Sequence, residues 1–136
     1  MNHILKSKTI CSMTLNEYQK LAMTTCMDSS KNFSYMMLNL VGEVGELASK
    51  VGKSIRKGNA EINQSKLSMI GDTDMLDAQE TELKKEAGDC LWQLSGLCSV
   101  LGWSLEEVAQ MNLDKLAARQ AVGTIDGNGD GIIRGK

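Results

Sequence analysis

No proline interrupts the 136 residues of this chain. A proline inside a helix removes a backbone hydrogen bond and clashes with the preceding turn, so its absence leaves long helices unopposed. Good helix formers fill the sequence: nine Met together with abundant Leu, Ala, Lys and Glu, against only 4% aromatic residues. β-Branched alternation is scarce, so a sheet is not expected. The length suits one domain with a real core.

Thr14-Leu15-Asn16-Glu17 has the form of a capping box, in which hydroxyl and carboxylate satisfy each other's backbone amides. It predicts a first helix running to about Met27. The second and longest helix is predicted from about Phe33 to Lys57, with Tyr35, Leu38, Val41, Val44, Ala48, Val51 and Ile55 at helical spacing and Gly58-Asn59 as its stop. Residues 59–79 read as a long connection with at most a helical turn in it. A third helix is predicted from about Glu80 to Leu101, closed by Gly102. Ser104-Leu105-Glu106-Glu107 is a second capping-box pattern and opens a fourth helix to about Arg119. The expected fold is therefore all-α and four-helix bundle-like. Residues 1–13 form a lead-in, 14–119 the helical domain, and 120–136 a Gly-rich tail. The apolar stripes of the second and third helices are wide enough that self-association is expected.

A net charge of −2 gives no bulk attraction to nucleic acid or to a membrane surface. No stretch approaches the ~18 apolar residues of a spanning helix, and no signal-peptide pattern opens the chain. Cys11, Cys26, Cys90 and Cys98 form no C-x-x-C pair and read as reduced thiols of a cytoplasmic protein. His3 is the only histidine, so histidine chemistry is not expected.

Two acid pairs interrupt the apolar pattern: Glu43 and Glu46 in Gly42-Glu-Val-Gly-Glu46, and Glu86 and Asp89 in Glu86-Ala-Gly-Asp89. Three-residue spacing sets each pair about one turn apart on one side of its helix. Unpaired carboxylates among core residues are costly. Four of them converging make sense around a divalent cation, whose hard charge prefers oxygen ligands and suits phosphates. Gly42, Gly45 and Gly88 weaken their helices, which suggests close approach of a neighbouring helix or a ligand. The plainer alternative is a set of solvated helix faces.

At these residues the sequence resembles the MazG-like, all-α nucleotide pyrophosphohydrolases of phage type. The resemblance extends through Thr14–Gln19, Leu40–Leu47 and Glu86–Trp92, then Leu101-Gly102, Leu105–Ala109 and Asn112-x-x-Lys115-Leu116-x-x-Arg119. It implies metal-dependent hydrolysis of a (d)NTP to the (d)NMP and pyrophosphate, a purine such as (d)GTP being slightly favoured, in nucleotide-pool control. It implies Mg²⁺ or Mn²⁺, more than one ion per site, on Glu43, Glu46, Glu86 and Asp89, with Glu43 or Glu46 as the base. Lys115, Arg119 and Asn112 would meet the phosphates, with Lys53 a further contact and Lys50 and Lys57 weaker ones. It implies a homodimer or homotetramer, in the host cytoplasm if viral, with no nucleic-acid or membrane partner. Two features depart from the family pattern. Gly42 stands where many members carry a leading Glu, and the interval between the acid motifs is lengthened by residues 59–79, which could border the base pocket. The readings set against this one are a non-catalytic helical interaction module and a nucleotide phosphatase that releases phosphate.

Trp92 sits in the core pattern of the third helix, and Trp103 precedes a cap as the outer half of a hydrophobic staple; either ring could also stack on a base. Phe33 and Tyr35 are further candidate base neighbours. Cys90 reads as core because no basic partner is apparent. Asp126–Ile133 imitates the start of a calcium loop but lacks the glutamate at its twelfth position. The tail is expected to fold over the active site of its own or a neighbouring subunit.

Overall fold

The computed structural model describes residues 12–123. His3, Cys11, most of the lead-in and the tail beyond Gly123 lie outside them. The described chain runs α1 (Leu15–Met23), a 3-10 turn (Asp28–Ser30), α2 (Phe33–Arg56), β1 (Ala60–Asn63), β2 (Lys66–Met69), α3 (Thr73–Val100) and α4 (Leu105–Ala121). The all-α expectation holds for everything except a two-stranded hairpin.

Each helix starts where a side chain satisfies its first amides. In α1, Glu17 N donates to Thr14 Oγ1 at 3.1 Å and Thr14 N donates to a Glu17 carboxylate oxygen at 2.9 Å, completing the box. The helix stops at Met23, short of the predicted Met27. There the Thr24 and Thr25 hydroxyls donate to the Leu21 and Ala22 carbonyls at 2.6 and 2.7 Å, competing with the ladder. Asn32 caps α2 by accepting from Tyr35 N at 2.9 Å, and Gly58, at φ +73, ends it.

Residues 59–79 correct two expectations. A sheet was not expected, yet β1 and β2 pair antiparallel, with Ala60 opposite Met69 and Asn63 opposite Lys66. Gln64 and Ser65 turn the hairpin at φ 47 and 64, the left-handed pair that a two-residue loop requires. The hairpin is anchored by Ile70 N donating to Asn59 O at 2.8 Å and by buried Ala60. Then α3 begins at Thr73, two turns before the predicted Glu80, because the Asp72 side chain accepts from Met75 N at 3.0 Å.

A third correction concerns α2. Leu38, Val41 and Val44, taken from periodicity as the core stripe, are 72%, 69% and 53% exposed. The face of α2 that meets α3 instead carries Met36, Leu40, Glu43 and Lys50. Both sides of the helix are apolar enough for periodicity to select the wrong one. The core is small: Cys26, Met36 and Leu97, with Met23, Leu40, Trp92 and Val100 packed on it. Gly96 lets Met36 in, since a Cβ there would overlap the Met36 thioether.

One side chain ties α1 to the α3–α4 corner. Gln19 Nε2 donates to Ser99 Oγ at 3.0 Å and to Trp103 O at 2.9 Å, while its Oε1 accepts from Leu105 N at 2.8 Å. Asn16 Oδ1 accepts from the Ser104 hydroxyl at 2.7 Å. Gln19→Leu is expected to lower stability by about 2–3 kcal/mol, at roughly 1 kcal/mol per lost bond, measured by urea unfolding.

Candidate active site

The seam between α2 and α3, the most extensive helix contact among the described residues, brings three of the four predicted acids together. One carboxylate oxygen from each of Glu43, Glu86 and Asp89 lies within 4.8 Å of the other two. Glu86 is only 9% exposed, Glu43 is half-buried, and Asp89 is exposed at the mouth. Glu46 stands outside this trio and is exposed. Three residues of helix rotate the side chain about 300°, leaving it some 60° off the Glu43 direction. Its charge is still felt: burial, then Asp89, Glu46 and Glu86, raise the Glu43 pKa above the usual carboxylate range.

Among the described residues, Lys50 pairs with the trio. Lys50 Nζ lies 3.1 Å from Glu86 Oε1 and 3.1 Å from Glu82 Oε2. Lys50 is two turns beyond Glu43 on the same face, a periodicity that marks it from sequence. Glu82 had no such mark. Tyr18 of α1 also faces the site, its phenol pKa raised by burial and by the Asp89 charge. Burial and the neighbouring acids Glu43 and Asp89 push the Cys90 thiol up, which keeps it protonated and poorly nucleophilic.

The donor set fits a hard divalent cation. Ligand oxygens on one Mg²⁺ stand up to about 4.2 Å apart, so the trio spans little more than one coordination shell. All its donors are carboxylates, and Lys50 leaves much of their charge uncompensated.

The predicted phosphate contacts fall in two further places. Lys53 lies with Lys50, Ser54 and Lys57 in a groove of about 400 Å³ beside the trio, closed by Asn59, just before β1, and by Gln79 of α3. Asn112 and Lys115 line a groove of about 650 Å³ on α4. Arg119, partly buried, is one turn beyond Lys115. Trp92 is a packing residue: its indole nitrogen donates to Ala22 O at 3.1 Å and to Thr25 Oγ1 at 2.9 Å. Trp103 and Val108, the two staple positions, line the α4 groove, with Trp103 52% exposed. Phe33 and Tyr35 are exposed on the first turn of α2. A Cβ at Gly42, Gly45 or Gly88 would meet nothing within 4 Å, so nothing in the described chain approaches these glycines closely.

A family model described as the MazG nucleotide pyrophosphohydrolase domain matches residues 31–122, which hold both acid motifs and all of α4. The chain belongs to the MazG nucleotide pyrophosphohydrolase family. It is also 36% identical over 103 residues to the Gene 37 protein of Mycobacterium phage L5, covering 76% of this chain and 79% of that protein. No solved structure matches. Among the described residues, no helix is long and apolar enough to cross a membrane.

The raised Glu43 pKa has a definite sign. The folded chain holds that proton more tightly than the unfolded chain, so the contribution to stability is present at low pH and lost as pH rises through the folded pKa. Without divalent cation, Glu43→Gln is expected to melt above wild type at about pH 7 and close to it at about pH 4. Thermal melts at the two pH values check this.

Proposed function

We propose that this MazG-family chain hydrolyses a (d)NTP to the (d)NMP and pyrophosphate with Mg²⁺ or Mn²⁺ held by Glu43, Glu86 and Asp89, and with Glu46 serving a further ion. The supporting observation is the carboxylate trio at the α2–α3 seam, too acidic to be balanced by Lys50 alone. When bound, divalent ions screen the phosphate oxygens and lower the pKa of bound water. The chain's own groups do the rest. Lys115, Arg119 and Lys53 bind phosphate oxygens as fixed positive charges, and Asn112 orients them by hydrogen bonding. Glu43 takes the proton of the attacking water, a role that suits a carboxylate whose proton affinity is already raised; Glu46 is the alternative base. The water oxygen bonds to the α-phosphorus, the α–β bridging bond breaks, and pyrophosphate leaves.

This reading takes 14–119 as the catalytic unit, working as a homodimer or homotetramer. The exposed α2 face of Leu38, Val41 and Val44 supports an oligomer, since contiguous apolar surface of this kind marks interaction sites. The open space over Gly42 and Gly45 on the same helix is compatible with the approach of another copy. A phage relative supports a role in nucleotide-pool control in a host cytoplasm.

A screen of the common NTPs and dNTPs with Mg²⁺ and Mn²⁺, scoring pyrophosphate against phosphate, tests the reading. Pyrophosphate release is expected from at least one nucleotide. Asp89→Asn and Lys115→Met are each expected to lower kcat/KM by about 10²-fold or more. Phosphate as the sole inorganic product would replace the reading with a phosphatase, and no turnover at all would favour an interaction module. For the assembly, Val41→Glu is expected to shift the chain to monomer by light scattering, and an unchanged mass would discard the α2 interface.

A further inference from the structure

Lys50 lies where two features of the chain meet. Its Nζ is 3.1 Å from Glu86 Oε1, inside the acid trio, and 3.1 Å from Glu82 Oε2, outside it. The same side chain lines the groove of about 400 Å³ that holds Lys53, Ser54, Lys57 and Glu82. One flexible side chain therefore joins the trio to the lysine groove.

Its two partners sit in unlike surroundings. The Glu86 side chain is 11% exposed and that of Glu82 is 48% exposed, with Lys50 between them at 39%. Glu86 is the most buried acid of the trio, and a buried carboxylate without a counter-charge is costly. Lys50 supplies that counter-charge. A divalent cation on the trio would supply the same neutralisation, with twice the charge, to the same carboxylate. An ion bonded to Glu86 and an ammonium held against one of its oxygens are like charges a few ångström apart, and they repel in a seam that water only partly screens.

Lys50 has a way out. Its ammonium is a compact charge on a four-carbon stem with three rotatable donors. Its bond to Glu82 Oε2 is already made, and Lys85 uses the other Glu82 oxygen at 2.8 Å, so the two lysines do not compete for one atom. Letting go of Glu86 thus leaves Lys50 paired and at the edge of an open groove. The ion pairs among the described residues do not include Lys53 or Lys57, so the groove's other positive charges are uncommitted.

We propose that Lys50 is a resident counter-charge of the seam: it neutralises Glu86 while no divalent cation is bound and withdraws to Glu82 and the lysine groove when one binds. This role rests on the hydrolase reading in one respect, that the trio holds the ion. Cation binding is then an exchange of charges, and Lys50 sets the affinity by having to be displaced. The displaced ammonium joins Lys53 and Lys57, so the groove reaches its full positive charge only with the ion in place. Lys50 acts as a positioning residue and is not itself a metal ligand.

Binding of Mn²⁺ to the full chain without nucleotide, read from the electron paramagnetic resonance of the free ion, tests the exchange. Lys50→Met is expected to bind Mn²⁺ about tenfold or more tighter than wild type. Lys50→Arg is expected to stay near wild type, because a guanidinium keeps the pair with Glu86. Lys84→Met removes the same charge from an exposed pair with Glu80 and is expected to bind as wild type does. In wild type with ¹³Cε-labelled lysine, Mg²⁺ is expected to move the Lys50 signal, assigned by Lys50→Met. Thermal melts show whether the variants fold, and Mn²⁺ is expected to raise the melting temperature of Lys50→Met more than that of wild type. A lysine that merely held Glu86 in place would give the opposite sign, weaker binding on its loss. Lys50→Met binding no tighter than wild type, or a Lys50 signal indifferent to Mg²⁺, overturns the proposal. Turnover of the four dNTPs is measured in parallel. Pyrophosphate release with unchanged or weakened Mn²⁺ affinity in Lys50→Met overturns the exchange and leaves the hydrolase reading intact. Tighter Mn²⁺ binding by Lys50→Met with no nucleotide hydrolysed overturns the hydrolase reading and leaves the exchange standing. No Mn²⁺ binding by either wild type or Lys50→Met overturns both.

Discussion

Like charges packed into a helix seam repel one another unless a counter-charge joins them, and the α2–α3 seam packs Glu43, Glu86 and Asp89 together. Lys50 supplies one positive charge, shared with Glu82. Burial, and after it the charges of Asp89, Glu46 and Glu86, raise the proton affinity of Glu43. Because the seam carries acids where apolar side chains would otherwise interlock, the core is pushed to one end, around Met36, Cys98 and Leu97. A chain that gives its main helix contact to charge has less apolar burial to draw on, which is a usual consequence of building a site into a small domain. A bound divalent ion would remove the repulsion and stabilise the fold by mass action.

The same constraint explains the two-faced character of α2. Its inner face is partly polar, and its outer face, with Leu38, Val41 and Val44, is left open. Apolar residues on the outer face leave burial unused that the acidic seam forgoes. Within one chain, α2 is an amphipathic helix turned inside out.

That inversion marks what the sequence could and could not reveal. The capping box at Thr14, the Gly58 end of α2, and the acid spacings were legible because each depends on local chemistry over three or four residues. The hairpin was not, since its turn is Gln64-Ser65 in left-handed conformations with no Asn-Gly or Asp-Gly signal. The opening of α3 was missed because residues 73–79 are mostly polar and only the Asp72 cap announces them. Periodicity identified an apolar face of α2 but not which side α3 would take. The separation of Glu46 from the trio comes from a 60° difference in direction, which a spacing rule of one turn does not resolve.

The position of α1 draws these parts together. Tyr18 faces the Asp89 charge, while the next residue, Gln19, grips the corner that launches α4. A helix of nine residues thus touches both the acidic seam and the start of the α4 groove. Asp89 and Lys115 are each about 20 Å along their helices from Gly102, at 1.5 Å per residue. The orientation of α4 then depends largely on the three hydrogen bonds of Gln19, because α4 makes its main helix contact with α1. α1, a helix with no predicted catalytic residue, is therefore the element that links the acidic seam to the start of α4.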